Sequence, residues 1–147
     1  MATAGKQATL ILDTDHLSEM HRQSRAGAKL AARLKADPRI PGTTIVSAQE
    51  QLGGLLALVK RSNNIQQEIE RYDELQKAIV GLSRLMILPW NAQAAAKLSK
   101  LRAARIRIGT MDLRIASIAI ANGATLLSRN LKDFTRVPGL RVENWLA

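Results

Sequence analysis

Four carboxylates stand where a chain of ordinary composition does not usually place them. The apolar run Ala8–Asp13 ends on Asp13, Glu50 lies in the first turn of an apolar helix, Asp112 opens the most apolar helical stretch, and Asp133 follows the strand that ends near Ser128. Each has a plain local explanation, Asp112 and Glu50 as charges complementing a helix dipole and Asp13 as a turn residue. Together they have another. If these segments meet, several carboxylates share one cleft and repel unless a cation neutralises them. Oxygen-only donors suit Mg²⁺ or Mn²⁺, and zinc is disfavoured by a chain with no cysteine and two histidines, His16 and His21. A divalent ion held this way activates water and stabilises charge on a phosphoryl oxygen, and a second can clamp the leaving oxygen. Metal-dependent phosphodiester hydrolysis is the chemistry these residues support.

The elements that must position these acids can be read from apolar spacing. Leu10, Ile11 and Leu12 form the short continuous run of a strand buried on both faces. Thr14 or Asp15 then caps a helix through Leu17, Met20 and His21, and residues 26–36 continue in helical composition until Asp37-Pro38 breaks it. Residues 43–47 read as a second strand. Ser47, with Glu50 three residues on, reads as a capping box for a helix through Leu52, Leu55, Leu56 and Val59. After a polar break at residues 61–64, Ile65, Ile69, Tyr72, Leu75, Ile79 and Leu82 give the clearest helical period. A third strand is expected at residues 85–88 and an alanine-rich helix at 92–104. The buried helix 113–121 stops at Asn122-Gly123, strand 125–127 follows, and an edge strand 141–143 comes after the turn at Val137-Pro138-Gly139. Helices alternating with short apolar strands imply one α/β domain over residues 1–147, a sandwich around a mostly parallel sheet. Sites in such sheets lie at the carboxyl ends of the strands, and strand ends and helix starts share that edge, so the four segments can converge there.

Composition narrows the partners. The absence of cysteine excludes disulfide scaffolds, thiolate metal sites and cysteine nucleophiles. The run ending at Asp13 and the run 115–121 are both far short of the ~20 residues of a membrane span. The small polar start, residues 1–7, has no signal-peptide core, so a soluble cytoplasmic protein is expected. Net charge is +10, and it is uneven: residues 1–83 carry +2 and residues 84–147 carry +8. The densest acid-free stretch holds Lys97, Lys100, Arg102, Arg105 and Arg107, which is either a solvated helix face or a field for a polyanion such as RNA. With two Trp, one Tyr and one Phe, base stacking is a poor expectation and phosphate contact a better one.

Three segments carry a family likeness: LILDTDHLS from Leu10, SAQEQLG from Ser47, and above all the stretch from Met111 to Trp145 that begins MDLRIASIAIANGATLLSRNLKDF. On these residues the chain resembles the PIN-domain ribonucleases, and more narrowly the VapC-type toxins of bacterial toxin–antitoxin pairs. The resemblance implies a three-layer α/β/α sandwich and a metal-dependent endoribonuclease that cuts structured RNA such as tRNA or ribosomal RNA, or messenger RNA. It implies Mg²⁺ or Mn²⁺ held by Asp13, Glu50 and Asp112. The fourth acid carries over to Asp133, because Asn130 stands where many of these domains have Asp. Ser128 and Asp15 would support the carboxylates, and Asn130 can hold metal-bound water. A homodimer and a VapB-like antitoxin, whose carboxyl-terminal segment blocks the cleft, are implied partners. Two other readings stay open: a non-cleaving PIN-like module that binds RNA or protein, and an aspartate-nucleophile phosphatase built on Asp13-Thr14-Asp15.

Overall fold

The computed structural model describes residues 7–147; the start of the polar segment read above, residues 1–6, lies outside the described residues. Strand β1 (Ala8–Leu12) leads to helices α1 (Thr14–Arg22) and α2 (Arg25–Ala36), then to β2 (Ile40–Thr44), α3 (Ile45–Lys60) and α4 (Ile65–Ser83). Strand β3 (Met86–Leu88), helices α5 (Ala92–Ala103) and α6 (Thr110–Ala121), strand β4 (Thr125–Leu127), the short α7 (Leu131–Phe134) and strand β5 (Arg141–Glu143) follow. The five strands form one sheet in the order β3-β2-β1-β4-β5, with every pairing parallel.

Helices cover both faces. On one, Ile11 and Leu126 pack with Leu98 and Leu101 of α5 and with Leu113, Ile115 and Ile118 of α6. On the other, Leu10, Leu12 and Leu127 pack with Leu17, Leu30, Leu34 and Leu82. β1 sits at the centre with both faces covered, and this is why its sequence is a continuous apolar run rather than an alternating one. The result is the expected α/β/α sandwich. Among the described residues no helix is long and apolar enough to cross a membrane.

Several boundaries differ from the sequence expectation, each for a local reason. The second strand ends at Thr44 rather than Ser47, because the Thr44 hydroxyl accepts the Ser47 amide at 3.0 Å and caps α3 there. Ile45 and Val46, β-branched residues that read as strand, are therefore helical, and Glu50 falls in the second turn rather than in a capping box. The cap of α1 is Asp13 itself, whose Oδ1 accepts the Thr14 amide at 2.8 Å. The helical stretch 14–36 is two helices, broken where Gln23 turns left-handed (φ 56°) and Ser24 caps α2. α6 starts at Thr110, so Asp112 lies within its first turn instead of opening it. α4 is helical as expected, but only Ala78 and Leu82 are buried; Ile65, Ile69, Tyr72 and Ile79 are more than half exposed.

The break between α1 and α2 lets the two helices approach closely at Gly27, where a Cβ would run into the backbone carbonyl of Glu19. Gly54, exposed within α3, would meet nothing within 4 Å. Gly27→Ala should therefore destabilise the protein by about 1–3 kcal/mol through overpacking. Gly54→Ala should stabilise it by about 0.5–1 kcal/mol through helix propensity, and urea unfolding of the two variants reads both signs.

Candidate active site

The strand order has one reversal. From β1 the chain moves outward to β2 and β3, then crosses back to place β4 on the other side of β1. The crevice opened by such a reversal lies beyond the carboxyl ends of the two flanking strands. Parallel pairing sets Leu12 opposite Leu127, so Asp13 and Ser128 leave the sheet side by side. Their contact is direct, with the Ser128 hydroxyl donating to Asp13 Oδ2 at 2.7 Å. The Asp13 amide is meanwhile held by the Leu127 carbonyl at 2.9 Å.

The other acids gather around this pair. Glu50, one turn and a half into α3, accepts the Thr14 hydroxyl at 3.0 Å, which ties α3 to the start of α1. Asp112, in the first turn of α6, receives the Asn130 side-chain amide at 3.3 Å, and the same amide reaches Asp133 at 3.1 Å. Asn130 also caps the short α7, and this positions Asp133. Asp15 has both oxygens engaged: Oδ1 with His16 Nδ1 at 2.6 Å, and Oδ2 with the Arg129 amide at 3.0 Å. An acid so committed is a poor proton donor for a phosphatase reaction.

The electrostatics record the crowding. Asp13 is 6% exposed, and burial pushes its carboxyl up to about 6, with Ser128 and Thr14 opposing and the charges of Asp15 and Asp112 adding to the rise. Burial also raises Asp112, and Glu50 and Asp133 push it further. Burial alone would raise Asp15, but its bonds from His16 and the Arg129 amide outweigh that and hold it below the usual carboxylate range. Among the described residues no three of these acids close into a ready coordination shell. The donor set is nevertheless carboxylate oxygen with one side-chain amide and two hydroxyls, a set that fits a hard divalent cation.

A groove of about 700 Å³ leads away from Thr14 and Glu50 between α1, α3 and α4, and carries Arg61, Asp73, Glu74 and Lys77. The five basic residues of the carboxyl half lie on α5 and in the segment after it. Lys97 is half-buried, and Lys100, Arg102, Arg105 and Arg107 are exposed while Leu98 and Leu101 face the core. That segment enters α6 through Gly109, three residues before Asp112. Thr14 and His16 are the site residues that sequence reasoning missed. Their signal is faint, a hydroxyl and an imidazole beside two aspartates in the motif DTDH.

The fold belongs to a known class. The PIN domain profile matches residues 10–140, and the chain belongs to the PIN domain family. Within it the chain is similar to the VapC ribonucleases. Ribonuclease VapC2 of Rickettsia felis is 36% identical over 107 residues, 70% of this chain and 72% of the relative. The tRNA(fMet)-specific endonuclease VapC of Salmonella typhimurium is 38% identical over 68 residues, 44% of this chain and 52% of that protein. Among solved structures, VapBC2 of Rickettsia felis bound to a promoter DNA fragment aligns with a TM-score of 0.68 at 27% identity, covering 92% of this chain and 98% of the other.

With its carboxyl at about 6 instead of 3.8, the ionised Asp13 costs the metal-free fold about 3 kcal/mol. The folded state binds this proton more tightly than the unfolded one, so the group favours folding at low pH and opposes it once ionised. Denaturation in EDTA should show stability falling as pH rises from about 4 to about 6 and levelling above; Asp112 acts in the same direction. Asp13→Asn should flatten that slope and stabilise the metal-free protein at pH 7. A slope of opposite sign would show that Asp13 is not crowded in solution.

Proposed function

We propose that this chain is a metal-dependent endoribonuclease acting as the toxin of a toxin–antitoxin pair, with residues 1–147 working as a single PIN-like nuclease domain. The observation that carries the reading is the grouping of Asp13, Glu50, Asp112 and Asp133 near the carboxyl edge between β1 and β4, with Asp13 raised by burial and by the charges of Asp15 and Asp112, and Asp112 raised by burial and by the charges of Glu50 and Asp133. In this reading the four acids hold Mg²⁺ or Mn²⁺. Once bound, the ion supplies an activated water and stabilises charge on the phosphoryl oxygen. The chain's own residues do the rest. Ser128 and the Thr14 amide fix the two oxygens of Asp13, and the Thr14 hydroxyl aims Glu50. Asn130 holds Asp112 and Asp133 together.

The substrate is RNA held by its phosphates. Lys97, Lys100, Arg102, Arg105 and Arg107 supply the cationic surface, and none of them forms an ion pair among the described residues. Structured RNA such as tRNA is the class favoured by likeness to an endonuclease named for tRNA(fMet). The regulatory partner is a VapB-like antitoxin, favoured by likeness to solved VapBC complexes and by the mixed-charge groove that opens beside Glu50. The exposed apolar residues of α4 suit a protein contact, and a homodimer is part of the proposal, as is action in the cytoplasm on cellular RNA.

Wild type incubated with bacterial RNA should make discrete cuts with Mn²⁺ or Mg²⁺ and none in EDTA. Asp112→Asn should lower cleavage at least ~100-fold while RNA affinity holds, since it removes an oxygen ligand and not a phosphate contact. Cutting in EDTA, or by the variant at the wild-type rate, would overturn the assignment. Arg102→Glu with Arg105→Glu should weaken RNA binding and lower the slope of log K against log salt by about 2, measured by fluorescence anisotropy.

A further inference from the structure

His16 is fully buried, and both its ring nitrogens are in use. The backbone N–H of Trp145 points at Nε2 from 3.2 Å. An amide can only donate, so Nε2 carries the lone pair, the ring proton resides on Nδ1, and it donates to Asp15 Oδ1 at 2.6 Å. The contact between His16 and Asp15 is thus a hydrogen bond from a neutral imidazole in one tautomer. The donor on the far side is itself fixed: Trp145 is buried, its indole N–H is bound to Glu143 at 3.0 Å, and the Arg33 guanidinium lies 3.8 Å over its ring.

Beyond Asp15 the chain of bonds runs straight into the acidic cluster. Asp15 Oδ2 takes the Arg129 amide, the Ser128 hydroxyl donates to Asp13, the Asn130 amide N–H donates to Ser128 Oγ at 3.0 Å, and the Asn130 side chain reaches Asp112 and Asp133. We propose that His16 is a positioning residue of the site, clamped by the Trp145 N–H so that it holds Asp15 and, through it, the 128–130 turn against the catalytic carboxylates. The segment after β5, remote in sequence, is then a structural part of the site. The second histidine provides an internal contrast. His21 Nδ1 is paired with the Gln51 side-chain amide at 2.7 Å and accepts from it, so the two histidines should carry their protons on opposite nitrogens.

The proposal rests on the nuclease reading for its activity arm only. Long-range ¹H–¹⁵N correlation spectra of the metal-free full chain should show one Nδ1-protonated and one Nε2-protonated neutral imidazole, the former lost in His16→Asn. A His16 ring protonated on Nε2 would overturn the clamp. His16→Leu keeps most of the volume without a donor, and His16→Asn keeps a donor near the Nδ1 position. The Leu variant should lose about 10- to 100-fold in kcat with KM little changed, and Asn should recover to within about threefold of wild type. Equal kcat in both folded variants would reduce His16 to a packing residue, as would losses confined to Tm. If His16→Leu does not fold, the tautomer and the Asn variant decide. If wild type cuts no RNA, the nuclease reading fails separately, and Mn²⁺ affinity by electron paramagnetic resonance, expected in the order wild type, Asn, Leu, then tests the positioning role; identical affinities would overturn it.

Discussion

Parallel pairing of β1 with β4 is the constraint from which the site follows. With Leu12 opposite Leu127, the next residue of each strand emerges at the same height, and the Ser128 hydroxyl is within 2.7 Å of Asp13. A one-residue slip of this register would turn the alternating side chains to the wrong faces and separate the pair. The polar residues that follow each apolar run, Asp13 and Ser128, oppose such a slip, because it would draw one of them into the apolar sheet. α3 and α6 are then seated by the apolar clusters on the two faces of the sheet, and this carries Glu50 and Asp112 to the edge without either needing to be sticky itself.

The price of that arrangement is charge density. Buried acids facing one another weaken the metal-free fold, and the chain tolerates them through apolar packing elsewhere. Helix α6 is the clearest case, with Leu113, Ile115, Ala116, Ile118 and Ala119 all buried directly behind the turn that bears Asp112. Strain between function and stability is thus confined to one edge. The densest positive charge lies on α5 and the segment leading to α6, where Lys100, Arg102, Arg105 and Arg107 are exposed.

How much of this could be read in the sequence depended on whether the cause was local. β1 and α6 declared themselves because full burial leaves a continuous apolar run, and the acids at their ends stood out against it. The β2–α3 junction did not: Ile45 and Val46 favour strand, and only the Thr44 cap, a matter of one hydroxyl and one amide, tips them into helix. α4 misled in the other way. Its period was regular, yet Ile65, Ile69, Tyr72 and Ile79 of the stripe are more than half exposed. The order of strands, and the tie from Trp145 to His16 across 129 positions, depend on tertiary contacts that no local pattern encodes.

That exposed stripe bears on the colloidal behaviour of the free chain. Copies carrying a net charge of +10 repel over a Debye length of about 8 Å at physiological ionic strength, which opposes non-specific contact through the exposed Ile65, Ile69, Tyr72 and Ile79. Raising the salt shortens that range, so added salt removes the protection that net charge gives to the exposed apolar residues of α4.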